Sequence, residues 1–142
     1  MDKKEYLLNE VKKIGIELSE LQVEHFLKYY ELLVEWNSFM NLTGITEYEE
    51  VVIKHFVDSL SLVKAVDLKK ELSLIDIGTG AGFPGLPLKI AFPNLKVTLL
   101  DSLNKRIKFL DEVIRQLGLN DIDTIHGRAE DFAKPDKLRE KY

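Results

Sequence analysis

Four glycines and two prolines fall within the ten residues from Gly78 to Pro87, directly behind the apolar run 72–77. Glycine is costly inside a regular element because it loses more conformational freedom on folding than other residues do. So dense a cluster predicts a sharp loop between a buried strand and a helix. It also raises the question of what approaches this backbone so closely that side chains are excluded.

The segments around this loop alternate between strand and helix patterns. Short apolar runs at 72–77, 96–101 and 121–127 are typical of parallel strands buried on both faces. Helical periodicity marks the two segments between them, 86–92 and 105–117. This order predicts an α/β fold in which helical crossovers connect the strands of a parallel sheet.

The chain before the first strand has a helical pattern throughout. Ser19 and Gln22 have the spacing of a capping box, which marks the start of a helix. Thr46 and Glu49 repeat that spacing and predict the start of a second helix. An N-terminal helical layer is therefore expected to pack on the sheet.

The glycines fit two ligand-binding templates. Gly80, Gly82 and Gly85 match the G-x-G-x-x-G pattern of dinucleotide-binding folds. Gly78, Gly80 and Gly82 also form a G-x-G-x-G pattern, with Asp76 in the strand just before it. Both templates place a ligand at the carboxyl ends of the strands. Asp101 ends the second strand, where a carboxylate can accept hydrogen bonds from the hydroxyls of an adenosine ribose.

The prolines favour a ligand without phosphate. Pro84 and Pro87 remove N–H donors from the helix start that would hold a pyrophosphate. An acid at Asp76 suits a cation better than a phosphate. We therefore favour S-adenosylmethionine, which carries an amino group, a sulfonium and no phosphate. A nicotinamide-dependent oxidoreductase, a non-catalytic cofactor-binding or interaction fragment, and a glycine turn without ligand stay open at this point.

Composition limits the partners and the compartment. The net charge of −4 does not indicate a general nucleic-acid binder, so a polyanion would have to meet a local patch. Lys105, Arg106 and Lys108, after the second strand, are candidates for RNA contacts, although such charges also occur on solvated helix faces.

The N-terminus lacks a secretory apolar core, and no apolar run is long enough to span a membrane, so we expect a cytoplasmic protein. The sequence contains no cysteine, and we predict no metal site.

Five motifs together resemble the small-subunit ribosomal RNA methyltransferase G family, also called glucose-inhibited division protein B. In order, they are EWNSFMNLTG, HFVDSL, LIDIGTGAGFPGLPLKIAFP, VTLLDSLNKRIKFL and GRAED. The resemblance implies a class I S-adenosylmethionine-dependent methyltransferase with a Rossmann-like sheet. It implies methylation of N7 of a guanine in 16S rRNA of the 30S subunit, with no membrane or DNA partner.

The resemblance also assigns roles to single residues. The methionine and ribose part of the donor would meet Gly78, Gly80 and Phe83, and the ribose would meet Asp101 and Ser102. The adenine would lie between Ala129 and Glu130. Five signature residues are expected at the mouth of the cofactor cleft without a defined role: Asn37, Asn41, His55, Asp58 and Ser59. No catalytic residue is assigned, because guanine N7 carries a lone pair and no proton, so its methylation needs no general base.

Members of this family continue with further strands, whereas only three strands are visible here. We therefore expect a helical segment over residues 1–70, followed by the first half of a Rossmann-like methyltransferase domain over residues 71–142, truncated after its third strand. Such a chain is expected to have little or no activity alone. Its first strand would have an open edge that favours self-association, whereas a full-length protein would be monomeric.

Overall fold

The computed structural model describes residues 2–64 and 72–128. Its α-helices are α1 Lys3–Lys12, α2 Glu20–Met40, α3 Tyr48–Val51, α4 Asp58–Leu60, α5 Gly85–Ala91 and α6 Asn104–Leu117. A π-helical turn, Val52–Val57, joins α3 to α4, and a 3-10 turn, Ser61–Lys64, follows α4. The strands are β1 Ser73–Ile77, β2 Lys96–Asp101 and β3 Ile122–His126.

The three strands form one parallel sheet in the order β1-β2-β3. Asp76 of β1 lies opposite Leu99 of β2, and Asp101 at the end of β2 lies opposite His126 of β3. Because the strands are parallel, their carboxyl ends lie at the same edge of the sheet, together with the glycine loop. The α/β class and the parallel sheet predicted from the sequence are confirmed.

The N-terminal helices pack around an aromatic core that reaches the glycine loop. Phe26 and Tyr29 of α2 contact Phe56 of the π-helical turn, with ring centroids 5.0 and 5.6 Å apart. The ring centroid of Tyr29 also lies 6.4 Å from that of Phe109 in α6. The side chains of these four aromatic residues are fully buried. The predicted helical layer is therefore continuous with the core beside the sheet. No helix in the described ranges combines the length and the hydropathy needed to cross a bilayer.

One of the two predicted capping boxes is present. Ser19 and Gln22 bond reciprocally at the start of α2. The box predicted for Thr46 and Glu49 is wrong, because the residue preceding α3 is Glu47, and it makes no side-chain cap. Thr46 lies one residue too early, where its carbonyl accepts a hydrogen bond from the Tyr30 hydroxyl of α2. The tertiary contact here overrides the local pattern.

A buried lysine, which the sequence did not single out, joins α5 to the turn before β2. Lys89 is only 3% exposed, and its Nζ donates to the carbonyls of Pro93 and Leu95 at 2.8 and 2.6 Å. Burial lowers the pKa of Lys89, and the charge of Asp121 opposes that shift. Gln22 of α2 donates to two further carbonyls, those of Ile90 and Ala91 at the end of α5. These bonds supply donors to carbonyls at and just after the end of α5.

We predict that Lys89→Met lowers the free energy of unfolding by about 2 kcal/mol, because it keeps the aliphatic stem but leaves two carbonyls without their donor. Urea denaturation followed by circular dichroism measures this change. Lys96→Met, at an exposed position of β2, is the control and should shift the unfolding midpoint little. Equal midpoints for both variants would show that the Lys89 bonds contribute nothing to stability.

Candidate functional site

The glycine loop follows β1 and is tied to β2. The amides of Gly78 and Thr79 donate to the carbonyl of Leu100 at 2.8 and 3.1 Å. Gly78, Gly80 and Gly82 have φ angles of +71°, +61° and +105°, a region that side chains with a Cβ rarely adopt. The loop therefore needs glycine for its backbone conformation at three positions.

Two of the glycines are required because the protein itself occupies the space around them. A Cβ on Gly82 would lie 2.5 Å from Leu86 Cδ1 and 2.6 Å from the Tyr29 hydroxyl. A Cβ on Gly85 would lie 2.4 Å from Leu99 Cδ2 of β2. Leu86, Tyr29 and Leu99 are fully buried and have little room to move. Gly82 and Gly85 thus permit close packing of α2, α5 and the sheet.

The other two glycines face open space. A Cβ on Gly78 or Gly80 would meet no atom within 4 Å among the described residues. The backbone at these positions is therefore bare on a side that no described part of the protein fills. Of the glycines in the loop, Gly78 and Gly80 are the ones against which a ligand can lie.

Asp76 fixes the loop from inside. Its carboxylate is 7% exposed, and its Oδ2 accepts hydrogen bonds from Thr79 Oγ1 at 2.7 Å and from the Gly85 amide at 3.0 Å. Burial raises the pKa of Asp76, whereas the bonds from Thr79 and Gly85 act in the opposite direction. The side chain joins the end of β1, the loop and the start of α5, so Oδ2 is committed to the fold.

The start of α5 consequently has few free amide donors. The Gly85 amide donates to Asp76, and the Leu86 amide donates to the carbonyl of Gly82 at 2.7 Å. Pro84 and Pro87 have no amide hydrogen. A pyrophosphate would need such donors and would also meet the Asp76 carboxylate. This helix terminus is thus unsuited to a dinucleotide phosphate.

Asp101 lies beside the open part of the loop. Its Oδ2 accepts the Gly80 amide at 2.9 Å, and its Oδ1 accepts the Leu103 amide at 2.9 Å. Arg106 Nη1 lies 3.5 Å from Oδ1. The carboxylate is buried, and Ser102 next to it is exposed. The structure thus brings together Gly80 and Asp101, which the sequence had proposed for one ligand.

The predicted signature residues of the N-terminal layer form a chain that reaches the loop. Asn37 Oδ1 accepts the Thr43 amide at 2.8 Å, and Thr43 Oγ1 lies 2.9 Å from His55 Nε2. The His55 ring stacks on the ring of Phe83, the residue that follows Gly82. Asn37 is thus linked through Thr43 and His55 to Phe83. The position of Asn37 and His55 at the mouth of a cofactor cleft stays a prediction.

The other signature residues have backbone roles. Asn41 ends α2 in a left-handed conformation with a φ of +53°. Asp58 begins α4, and Ser59 is buried and donates to the carbonyl of His55. The Ser59 bond supports the segment that carries His55.

The remaining predicted site residues differ in how far the structure describes them. Ala129 and Glu130 lie outside the described residues. Lys105 and Lys108 are exposed on α6, whereas Arg106 is partly engaged by Asp101.

Tyr29 is a residue at the loop that sequence reasoning missed. Its hydroxyl donates to the Ala81 carbonyl and lies against Gly82. Tyr29 and Ala81 lie 52 residues apart in the sequence, so no local pattern indicated this contact.

Comparison with known proteins matches residues 22–140 to the family described as rRNA small subunit methyltransferase G. A ribosomal RNA small subunit methyltransferase G from Thermoanaerobacter sp. (strain X514) is 62% identical over 138 residues, which cover 97% of this chain and 58% of the relative. The protein of the same name from Alkaliphilus metalliredigens (strain QYMF) is 52% identical over 142 residues, 100% of this chain and 59% of the relative. The chain thus spans less than two thirds of the length of these relatives.

We predict that Gly82→Ala destabilises the protein more than Gly78→Ala does. Both substitutions place an alanine in a left-handed backbone conformation. Only in Gly82→Ala does the added Cβ also collide with Tyr29 and Leu86. The expected losses in free energy of unfolding are about 3 and about 1 kcal/mol. Urea denaturation of both variants measures the difference. Equal losses would contradict the assignment of Gly82 to internal packing.

Proposed function

The chain belongs to the rRNA small subunit methyltransferase G family, to which residues 22–140 match, and on that premise we propose that it binds S-adenosylmethionine for methylation of N7 of a guanine in 16S rRNA. The observation that carries this proposal is the arrangement around Gly80. Its bare backbone faces open space and bonds to the Asp101 carboxylate, while the nearby helix start has its amides engaged.

These residues fit a phosphate-free adenosyl ligand. Ribose hydroxyls are donors, and each carboxylate oxygen of Asp101 can accept more than one hydrogen bond. The Gly80 amide and a ribose hydroxyl can therefore both donate hydrogen bonds to Oδ2 of Asp101. Arg106, whose side chain is 35% exposed, lies against this buried carboxylate, and we expect it to move aside when the ribose binds.

We assign the remaining contacts as follows. The backbone at Gly78 and Gly80 and the ring of Phe83 line the methionine and ribose part of the site. Ser102 assists Asp101 at the ribose, and Ala129 and Glu130 frame the adenine. When bound, S-adenosylmethionine supplies an electrophilic methyl group on a positively charged sulfur.

The task of the chain in this reaction is to orient the groups. Guanine N7 attacks with a lone pair and has no proton to lose, so no side chain has to act as a general base. Placement of N7 in line with the methyl group lowers the barrier through proximity. Fixed dipoles and charges around the purine would stabilise the charge that moves onto it. A guanine in an RNA loop is presented at lower cost than one in a duplex.

We further propose that the exposed Lys105 and Lys108 of α6 contact phosphates of the 16S rRNA in the 30S subunit. They follow the end of β2 and so lie on the helix that begins beside Asp101. Arg106 contributes less to this patch, because it is paired with that carboxylate. We place this activity in the cytoplasm, without a membrane or DNA partner. We also propose the division into an N-terminal helical segment, residues 1–70, and the first half of the methyltransferase domain, residues 71–142.

The nicotinamide alternative is disfavoured by two observations. Gly82, the template glycine that should let the backbone approach the pyrophosphate, is packed against Tyr29 and Leu86 of the protein itself. The helix start that should hold its pyrophosphate is engaged by Asp76.

We predict that isothermal titration calorimetry detects binding of S-adenosylhomocysteine to the chain and none of NAD. Asp101→Asn should weaken that binding by about tenfold or more, because an amide hydrogen replaces one acceptor oxygen. Asp123→Asn, at an exposed position of β3, is the matched control and should bind like the wild type. Binding of NAD with no binding of S-adenosylhomocysteine would overturn the proposed ligand.

The RNA contact and the methyl transfer are tested together with protein expressed from the whole reading frame that encodes this chain. Lys105→Glu/Lys108→Glu should weaken association with 30S subunits and reduce the slope of log affinity against log salt by roughly 1 to 2. Lys4→Glu/Lys12→Glu, which reverses two exposed charges on α1, is the control for net charge. An identical slope for both variants would refute the α6 patch. Absence of methyl transfer to 16S rRNA by the wild type would refute the proposed reaction.

A further inference from the structure

Phe83 lies at the junction of the glycine loop and α5, inside a cage of aromatic rings. The His55 ring is parallel to it, with a centroid distance of 4.3 Å and an interplanar angle of 9°. Tyr29 and Phe56 complete the cage at 5.8 and 6.2 Å. Tyr29 and Phe56 are fully buried, whereas Phe83 and His55 are only partly buried. The stacked pair therefore lies at the edge of the core, next to the loop.

One hydrogen bond, to Thr43, orients the His55 ring. Nε2 lies 2.9 Å from Thr43 Oγ1, which also accepts the Ile45 amide at 3.1 Å. The Thr43 amide donates to Asn37 Oδ1 of α2. The imidazole thus connects the segment after α2 to the glycine loop through one ring contact.

The backbone that carries His55 is also irregular. His55 lies in the π-helical turn Val52–Val57, and π-helical turns are rare and frequent at functional sites. The Ser59 hydroxyl donates to the His55 carbonyl. Burial lowers the pKa of His55, whereas the charge of Asp58 opposes this shift.

Burial alone does not account for these features. An apolar side chain at position 55 could cover Phe83 without the hydrogen bond to Thr43 Oγ1. The loop is held at Ala81 by the Tyr29 hydroxyl, and its backbone at Gly78 and Gly80 faces open space. Phe83 is the next side chain after that contact, and it is held by the oriented imidazole.

We propose that His55 is a positioning residue for the donor site: its ring, oriented by Thr43, holds Phe83 and the glycine loop in the conformation that receives the adenosyl ligand. This inference rests on the proposed function. His55 itself transfers no proton and forms no bond to the methyl group.

The test compares His55→Ala, which removes the ring, with Thr43→Val, which keeps the ring but removes its hydrogen-bond partner. We expect each to weaken binding of S-adenosylhomocysteine by about three- to tenfold in calorimetry, the size of one aromatic contact. Amide hydrogen exchange should become faster at Gly82 and Phe83, whose amides donate to the Thr79 carbonyl. The Phe83 ring protons should lose the NMR shift caused by the stacked imidazole in His55→Ala.

His25→Ala is the matched control. His25 is partly buried on α2, its pKa is also lowered by burial, and it makes no hydrogen bond or ring contact with other described residues. It should leave ligand affinity and loop exchange unchanged, whatever it does to the melting temperature.

The outcomes separate this inference from the proposed function. Affinity and loop exchange within twofold of wild type in both test variants would overturn the role of His55, even if their melting temperatures fell. If His55→Ala does not fold, Thr43→Val decides. If the wild type fails to bind S-adenosylhomocysteine, the proposed function falls, and loop exchange alone then decides whether His55 holds the loop.

Discussion

The hydrogen bonds that the buried Asp76 carboxylate accepts from Thr79 and Gly85 are the contacts on which the site depends. They join the end of β1, the glycine loop and the first residue of α5 through a single oxygen. A negative charge at a helix start is favourable, and it replaces the anion that other glycine loops take from their ligand. The Asp76 carboxylate therefore occupies the place where other glycine loops bind a phosphate. The surface left for a ligand is formed by Gly78, Gly80 and Asp101.

The glycine cluster serves two purposes that the sequence pattern does not separate. Gly82 and Gly85 are needed because Tyr29, Leu86 and Leu99 occupy the space of a side chain. Gly78 and Gly80 have left-handed backbones beside open space and leave room for a ligand. The helical layer thus shapes the loop directly, with the Tyr29 hydroxyl on Ala81 and the His55 ring on Phe83. These contacts give the layer a role in the site as well as in the core.

Local patterns predicted the elements well. Strand β2 and the capping box at Ser19 agree with the structure residue by residue, because apolar runs and capping residues act over a few neighbours. Helix α1 lies within the predicted helical layer, although its bounds were not predicted. The π-helical turn at His55 was missed, since it has no distinctive local signal. The bonds made by Tyr29 and Lys89 join residues whose meeting depends on tertiary packing. The same limit applies to Asp76, which the sequence assigned to a cationic ligand and whose Oδ2 the structure assigns to the loop.

A crystal structure of the chain with S-adenosylhomocysteine tests this account most directly. The account predicts ribose hydroxyls within hydrogen-bonding distance of the Asp101 carboxylate, the ligand against the backbone at Gly78 and Gly80, and Asp76 still bonded to the Gly85 amide. A ligand bound elsewhere, or an Asp76 side chain that leaves Gly85 to meet it, would contradict the claim that the carboxylate belongs to the fold and the open glycines to the ligand.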